Sequence, residues 1–227
     1  MNANEKKMLA LLVEGRDKYG IDAVKAEFEA EGTRHDELLR LLEIARRAGV
    51  KVGLKIGGCE AIRDLLEARQ FGADYIIAPM VETPYALKKY AAARATTFPE
   101  AERGDTQFLF NVETISTFGQ LDAMAAIAGH EQLGLVFGRV DFAGSLDKDR
   151  SFVNGTEMEG YLQVAARHAV EQDVPLVVGG GVNHDAIELL RRVRQTRLDR
   201  FETRKVIFDA TVLGCGDDLG IPIFCVL

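Results

Sequence analysis

The sequence predicts an α/β fold, a (β/α)8 TIM-type barrel with an atypical first or last strand, and three observations carry that prediction. Short β-branched runs alternate along the chain with longer amphipathic stretches, the pattern of βα units around a parallel sheet. Polar and glycine residues gather just after the apolar runs, where such folds place their reacting groups. The 227 residues suit one barrel, and no linker, low-complexity segment or internal repeat divides them, so residues 1–227 are read as a single barrel domain.

The elements follow in order. A helix over residues 5–14 precedes the first strand and flanks or plugs the barrel. Strand runs lie at 23–29, 50–56, 75–78, 108–112, 133–137, 175–178 and 206–210. Between them, apolar residues at three- and four-residue spacing predict helices at 36–48, 61–71, 84–95, 117–128, 158–172 and 184–194, the last capped by Asn183. These runs supply seven strands, and the segment 221–227 (IPIFCVL) is the remaining run able to close an eight-stranded barrel. A doubly wound open sheet is the alternative.

Composition narrows the function. The net charge of −7, with both signs interspersed, offers no basic face for a phosphate backbone or an anionic membrane, so no nucleic-acid or membrane partner is expected. The cluster Arg191, Arg192, Arg194, Arg197 and Arg200 sits among Glu188, Asp199 and Glu202 and reads as a solvated helix end. No run has the roughly 20 apolar residues of a membrane span, and MNANEKK leads into no signal-peptide hydrophobic region, so a cytoplasmic location is expected. Cys59, Cys215 and Cys225 show no metal or disulfide spacing.

The candidate chemistry lies at the strand ends. Glu113 follows FLFNV and Asp141 follows LGLVFGRV, and two acids so placed suit a hard cation, or else they cap the next helices. Lys55 and a glycine pair follow the second strand, Glu27, Glu29 and Glu31 end the first, and Asp209 ends the last run. Gly179, Gly180 and Gly181 form a turn whose amides can approach a phosphate or carboxylate, or which serves packing alone. The polar stretch 138–158 reads as a long loop, a lid or binding loop, in which Arg139 and Arg150 are candidates for a substrate carboxylate or phosphate.

The segments GADYIIAPMVETPYALKKY, FLFNVETISTFGQLDAMAAI and GLVFGRVDFAGSL, in that order and spacing across residues 51–146, resemble the class II pyruvate aldolase and citrate lyase β-subunit family of the phosphoenolpyruvate/pyruvate barrel superfamily. Malyl-CoA lyases and 2-keto-3-deoxy sugar acid aldolases belong to the same family. The resemblance implies a lyase in which Glu113 and Asp141 hold Mg²⁺ or Mn²⁺ and the reaction runs through a metal-bound enolate of pyruvate or a related 2-oxo acid. Lys55 would stand where the family has an arginine, a point charge in place of a planar fork. The family's D-x-E-H segment corresponds to AEFEAEGTRHDE, with Glu27 and Glu29 on the acids and Ala30 on the histidine. Glu29 or Glu27 would therefore move the proton, while His35, five residues on, reads as a helix-start surface residue unless its loop brings it to the site. A free small-molecule acid rather than an acyl-CoA is expected as substrate, in a homo-oligomer. Two alternatives stay open: a phosphoenolpyruvate- or pyruvate-type transferase or isomerase, with Lys55 and the glycine turn holding phosphate, and a catalytically inactive binding or assembly subunit.

Overall fold

The computed structural model describes residues 1–214. Helix α1 (Ala3–Tyr19) starts where the Asn2 side chain accepts the Glu5 N–H while the Glu5 carboxylate accepts the Asn2 N–H, a reciprocal cap that satisfies two otherwise orphaned donors. The chain then alternates β1 (Ile21–Glu27), α2 (His35–Ala48), β2 (Lys51–Lys55), α3 (Ile62–Phe71), β3 (Tyr75–Ala78), α4 (Pro84–Thr97) and β4 (Gln107–Val112). It continues through α5 (Ile115–Phe118), α6 (Leu121–Glu131), β5 (Gly134–Gly138), α7 (Arg139–Ser145), α8 (Thr156–Glu171), β6 (Leu176–Gly179), α9 (Ile187–Arg194), β7 (Arg200–Glu202) and β8 (Val206–Asp209). Helix α2 shows how these elements stop: its two leucine-rich turns bury Leu38 and Leu42 against the sheet, and Gly49 then takes the left-handed conformation that ends it.

The eight strands close into a barrel in sequence order. Strands β1 to β7 run parallel, but β8 is antiparallel to both of its neighbours, pairing Glu202 with Ile207 on one side and Val24 with Val206 on the other. The predicted strand anomaly thus falls on the last strand. The run expected as seventh is the eighth, and the segment 221–227, expected to close the barrel, lies outside the described residues. Sequence reading missed β7 because it is only three residues long and its Arg200 was counted with the solvated arginines. Arg200 instead enters the barrel floor, where it donates to the Tyr75 hydroxyl (3.2 Å) and stacks over that ring (4.3 Å to its centroid). The neighbouring arginines are neutralised locally, Arg192 by Glu159 and Arg197 by Asp199.

Alternation along each strand separates two cores. Residues facing outward pack under the helices, whereas Ala23, Tyr75, Ile77, Leu109, Val136, Val177 and Ile207 fill the barrel interior. Below this plug the Tyr75 hydroxyl donates to Asp22 (2.5 Å) and accepts from Lys51 (2.8 Å), which seals the N-terminal end with paired polar groups. Above it the interior turns polar. Two further expectations change: the helix expected at 117–128 is two helices bent at Gly119 and Gln120, and the long loop of 138–158 contains α7 and a 3-10 turn (Arg150–Asn154). Asn183 precedes a 3-10 turn and its side chain makes no capping hydrogen bond. Among the described residues no helix is long and apolar enough to cross a membrane.

Candidate active site at the C-terminal mouth of the barrel

Parallel strands deliver their C-terminal ends to one mouth, so residues two apart on β1, β2 and β4 converge there. The mouth holds a cavity of about 480 Å³ whose floor and walls include Lys25, Glu27, Lys55, Asn111, Glu113, Asp141 and Glu202.

Glu113 is buried directly after β4. One carboxylate oxygen accepts the backbone N–H of Met80 (2.7 Å) and the other the side-chain amide of Asn111 (2.7 Å). Met80 adopts a positive φ of 51°, uncommon for a residue with a side chain, and this conformation accompanies the amide's contact with the acid. Burial pushes the Glu113 carboxyl above its ordinary value, against the Met80 hydrogen bond and the charge of Lys55, with Asp141 adding to the rise. Asp141 lies in the first turn of α7 and faces the same cavity.

The Oδ1 atom of Asn111 is buried and has no hydrogen-bond partner. A buried acceptor left unpaired costs about 1–3 kcal/mol, and this one stands beside the Glu113 carboxylate. Two acids and an unsatisfied amide oxygen form a hard-oxygen set of the kind that suits Mg²⁺ or Mn²⁺. Among the described residues no three His, Cys, Asp or Glu side chains form a metal-binding group.

Two strands away from β4, Lys55 ends β2 in register with Glu27 of β1 and pairs with Glu29 at 3.1 Å. Glu29 itself lies beyond β1 and outside the cavity wall. Lys25 crosses the floor, 2.6 Å from Glu202 and 3.3 Å from Glu27. Burial disfavours its charge, but Glu202 and then Glu27 outweigh that and hold its pKa above the usual lysine value.

The structure thus brings together Glu27, Lys55, Glu113, Asp141, Gly180 and Gly181, with Glu29 behind Lys55. Arg139 goes elsewhere. It is fully buried, donates to the carbonyls of Gly179 (3.1 Å) and Val153 (3.1 Å) and to Asn154 Oδ1 (2.9 Å), and desolvation lowers its pKa to about 10. It fastens β6 to the turn after α7. The glycine turn also has a packing reason. A Cβ on Gly179 would meet Glu202 at 2.8 Å, and one on Gly180 (φ 78°) would meet the backbone nitrogens of Val140 and Arg139 at 2.7 and 2.8 Å. His35 is on the outer surface, 2.7 Å from Glu67 and edge-on to Phe28 and Phe71.

Sequence reading missed Lys25, Asn111 and Glu202. Lys25 and Asn111 each stand two residues before a chosen acid, so strand alternation already put them on the same face. Glu202 had no such signal because β7 was not recognised.

A barrel with an acidic, cation-compatible pocket at its C-terminal mouth is the class that fold and site define. Its solved structural neighbours include proteins of the HpcH/HpaI aldolase and citrate lyase family. An HpcH/HpaI aldolase from Desulfitobacterium hafniense matches with a TM-score of 0.68 and 15% identity over 87% of this chain and 82% of that one. An HpcH/HpaI aldolase/citrate lyase family protein from Burkholderia cenocepacia matches with a TM-score of 0.68 and 15% identity over 86% and 82%. The citrate synthase SbnG matches with a TM-score of 0.67 and 16% identity over 86% and 81%. These likenesses establish the fold. By sequence the chain matches no family model and no curated protein.

Proposed function

We propose that this protein is a divalent-metal-dependent carbon–carbon lyase or aldolase acting on a 2-oxo acid, related in function as in fold to the HpcH/HpaI aldolase and citrate lyase proteins. The observation that carries the reading is that buried Glu113, Asp141, Lys55 and Asn111, whose Oδ1 has no partner, line one cavity. Glu113, Asp141 and Asn111 Oδ1 would hold Mg²⁺ or Mn²⁺, which supplies positive charge where an enolate oxygen develops.

Lys55 adds a second positive charge to the same cavity, and Glu29 orients its ammonium. A carboxylate substrate would meet Lys55 as a point charge rather than a two-pronged guanidinium, so its grip orients less strictly. Glu27 and Glu202 are the acids placed to exchange a proton at the carbon next to the carbonyl, and Lys25 fixes both. The hydrophobic plug beneath keeps bulk water from the floor, which strengthens each of these electrostatic contacts.

The test is exchange of the C3 protons of pyruvate and related 2-oxo acids into deuterated water, followed by NMR with and without Mg²⁺. Exchange is expected to require the metal and to be lost in Glu113→Gln and Asp141→Asn. Mn²⁺ affinity in those variants, read by electron paramagnetic resonance, is expected to fall by more than the about 10–100-fold typical of losing an outer-shell partner. Full metal affinity in both variants, or no exchange of any 2-oxo acid by the unaltered protein, would remove the proposal.

A further inference from the structure

Each of the first six strands is followed by at least one α-helix, whereas β7 turns directly into β8, and β8 is followed among the described residues only by a 3-10 turn (Ala210–Gly214). In a regular barrel the last helix lies over the outer face where the last strand meets the first. Here an open groove of about 810 Å³ runs along that face. Its walls include Met8 and Leu11 of α1, Ile21 and Val24 of β1, Leu41 of α2 and Val206 of β8. Met8 and Leu11 are left 45% and 48% exposed, large apolar side chains with nothing over them among the described residues.

The charges around the groove say what suits it. Every ionisable side chain described on its wall already has a partner: Lys25 with Glu202, Glu37 with Arg34, and Glu31 with both Arg204 and Lys205. A charged ligand would lose its hydration there without gaining a free counter-charge, so the groove calls for a neutral, apolar occupant.

The chain itself contains such a segment. Residues 221–227 (IPIFCVL) carry no Asp, Glu, Lys or Arg. The closed barrel leaves them no strand position, because β8 and β1 are each paired on both sides. The chain also passes the groove's Ile21 end on its way to Gly214. The Asp209 N–H donates to the Gly20 carbonyl (2.9 Å), and the Val212 side chain lies against Gly20, the neighbour of Ile21. The seven residue steps from Gly214 to Ile221 span up to about 25 Å when extended. Strand β1 covers only about 17 Å from Ile21 to Ala26, so the groove along it is within reach.

We infer that residues 221–227 dock in this groove of their own chain, covering the joint between β8 and β1 where the last outer helix of a regular barrel would lie. The inference concerns the outer face of the barrel and does not depend on the lyase reading.

The test uses the native Cys225 in the full chain, with Cys59→Ser and Cys215→Ser removing the other thiols. A second thiol is placed in the groove by Leu11→Cys, or by Met8→Cys should that variant fail to fold. The control is Gln195→Cys, an exposed position next to Arg194, whose guanidinium lies beside Gly214. A tether that docked nowhere would present Cys225 to both positions at similar effective concentrations. Under mild oxidation, Cys225 is expected to join position 11 within one chain about tenfold or more faster than position 195. Similar rates at the two positions overturn the inference. So does a disulfide between two chains, seen as a dimer on a non-reducing gel with a rate that rises with protein concentration, which would assign the groove to a second copy.

An apolar fluorescent dye tests whether the groove is filled. Dye binding is expected to rise in Phe224→Asp and to fall back when Leu11→Glu is added. Dye binding by the unaltered protein that equals that of Phe224→Asp and is lost in Leu11→Glu would show an open groove that takes a free apolar ligand, and would overturn the inference.

Discussion

Lys25 concentrates the residue-scale physics of this site. A lysine inside a barrel loses its hydration, and only the carboxylates of Glu202 and Glu27 compensate it. Removing one member leaves buried charges unpaired, so Lys25→Met is expected to destabilise the fold by about 3–5 kcal/mol in denaturant titrations at neutral pH. Lys25→Met/Glu202→Gln should restore part of that loss. The pH dependence has a definite sign. The pKa of Lys25 is raised above its ordinary 10.5, so its contribution is fully present below that value and is lost as pH climbs through the higher folded-state value. The stability gap between the unaltered protein and Lys25→Met should therefore narrow in strongly alkaline buffer; a gap constant with pH would refute the assignment. Alternation made Lys25 legible in IDAVKAE, but only the closed barrel reveals that its partner is 177 residues away.

At the scale of elements, the decisive contact is the one between the β6 turn and the start of α7. Gly180 has a left-handed backbone, and a methyl group there would strike main-chain nitrogen, which cannot rotate aside. Gly180→Ala is expected to cost about 1–3 kcal/mol in thermal unfolding. Because the same helix carries Asp141 in its first turn, the variant should also weaken Mn²⁺ binding, although Gly180 is assigned no part in holding the metal. Unchanged stability and metal affinity would show that the turn has room to relax. The GGG motif was plain in the sequence, yet anion binding and close packing predict the same glycines. The position of α7, itself hidden within what reads as a polar loop, is what gives Gly180 its packing reason.

For the whole molecule, closure depends on a hairpin in which β8 turns back antiparallel and pairs with β1. Phe208 of β8 stacks on Phe201 of β7 (5.1 Å between centroids) and both are buried. Phe208→Ala is expected to cost about 3–5 kcal/mol, and circular dichroism and tyrosine fluorescence should report one shared unfolding transition if closure is cooperative. Separate transitions would mean that the β7–β8 hairpin opens independently of the other strands.

The sequence by itself determined the alternating architecture and the strand-end positions of Glu113 and Asp141, because periodicity and strand-end position are local properties. Tertiary structure alone decided that a three-residue strand completes the barrel, that β8 is reversed, that Arg139 is a buried fastener, and that Glu202 lines the cavity. Each of these depends on which distant groups meet when the sheet closes, and burial, pairing and steric exclusion between residues far apart in the chain leave no periodic mark in the sequence.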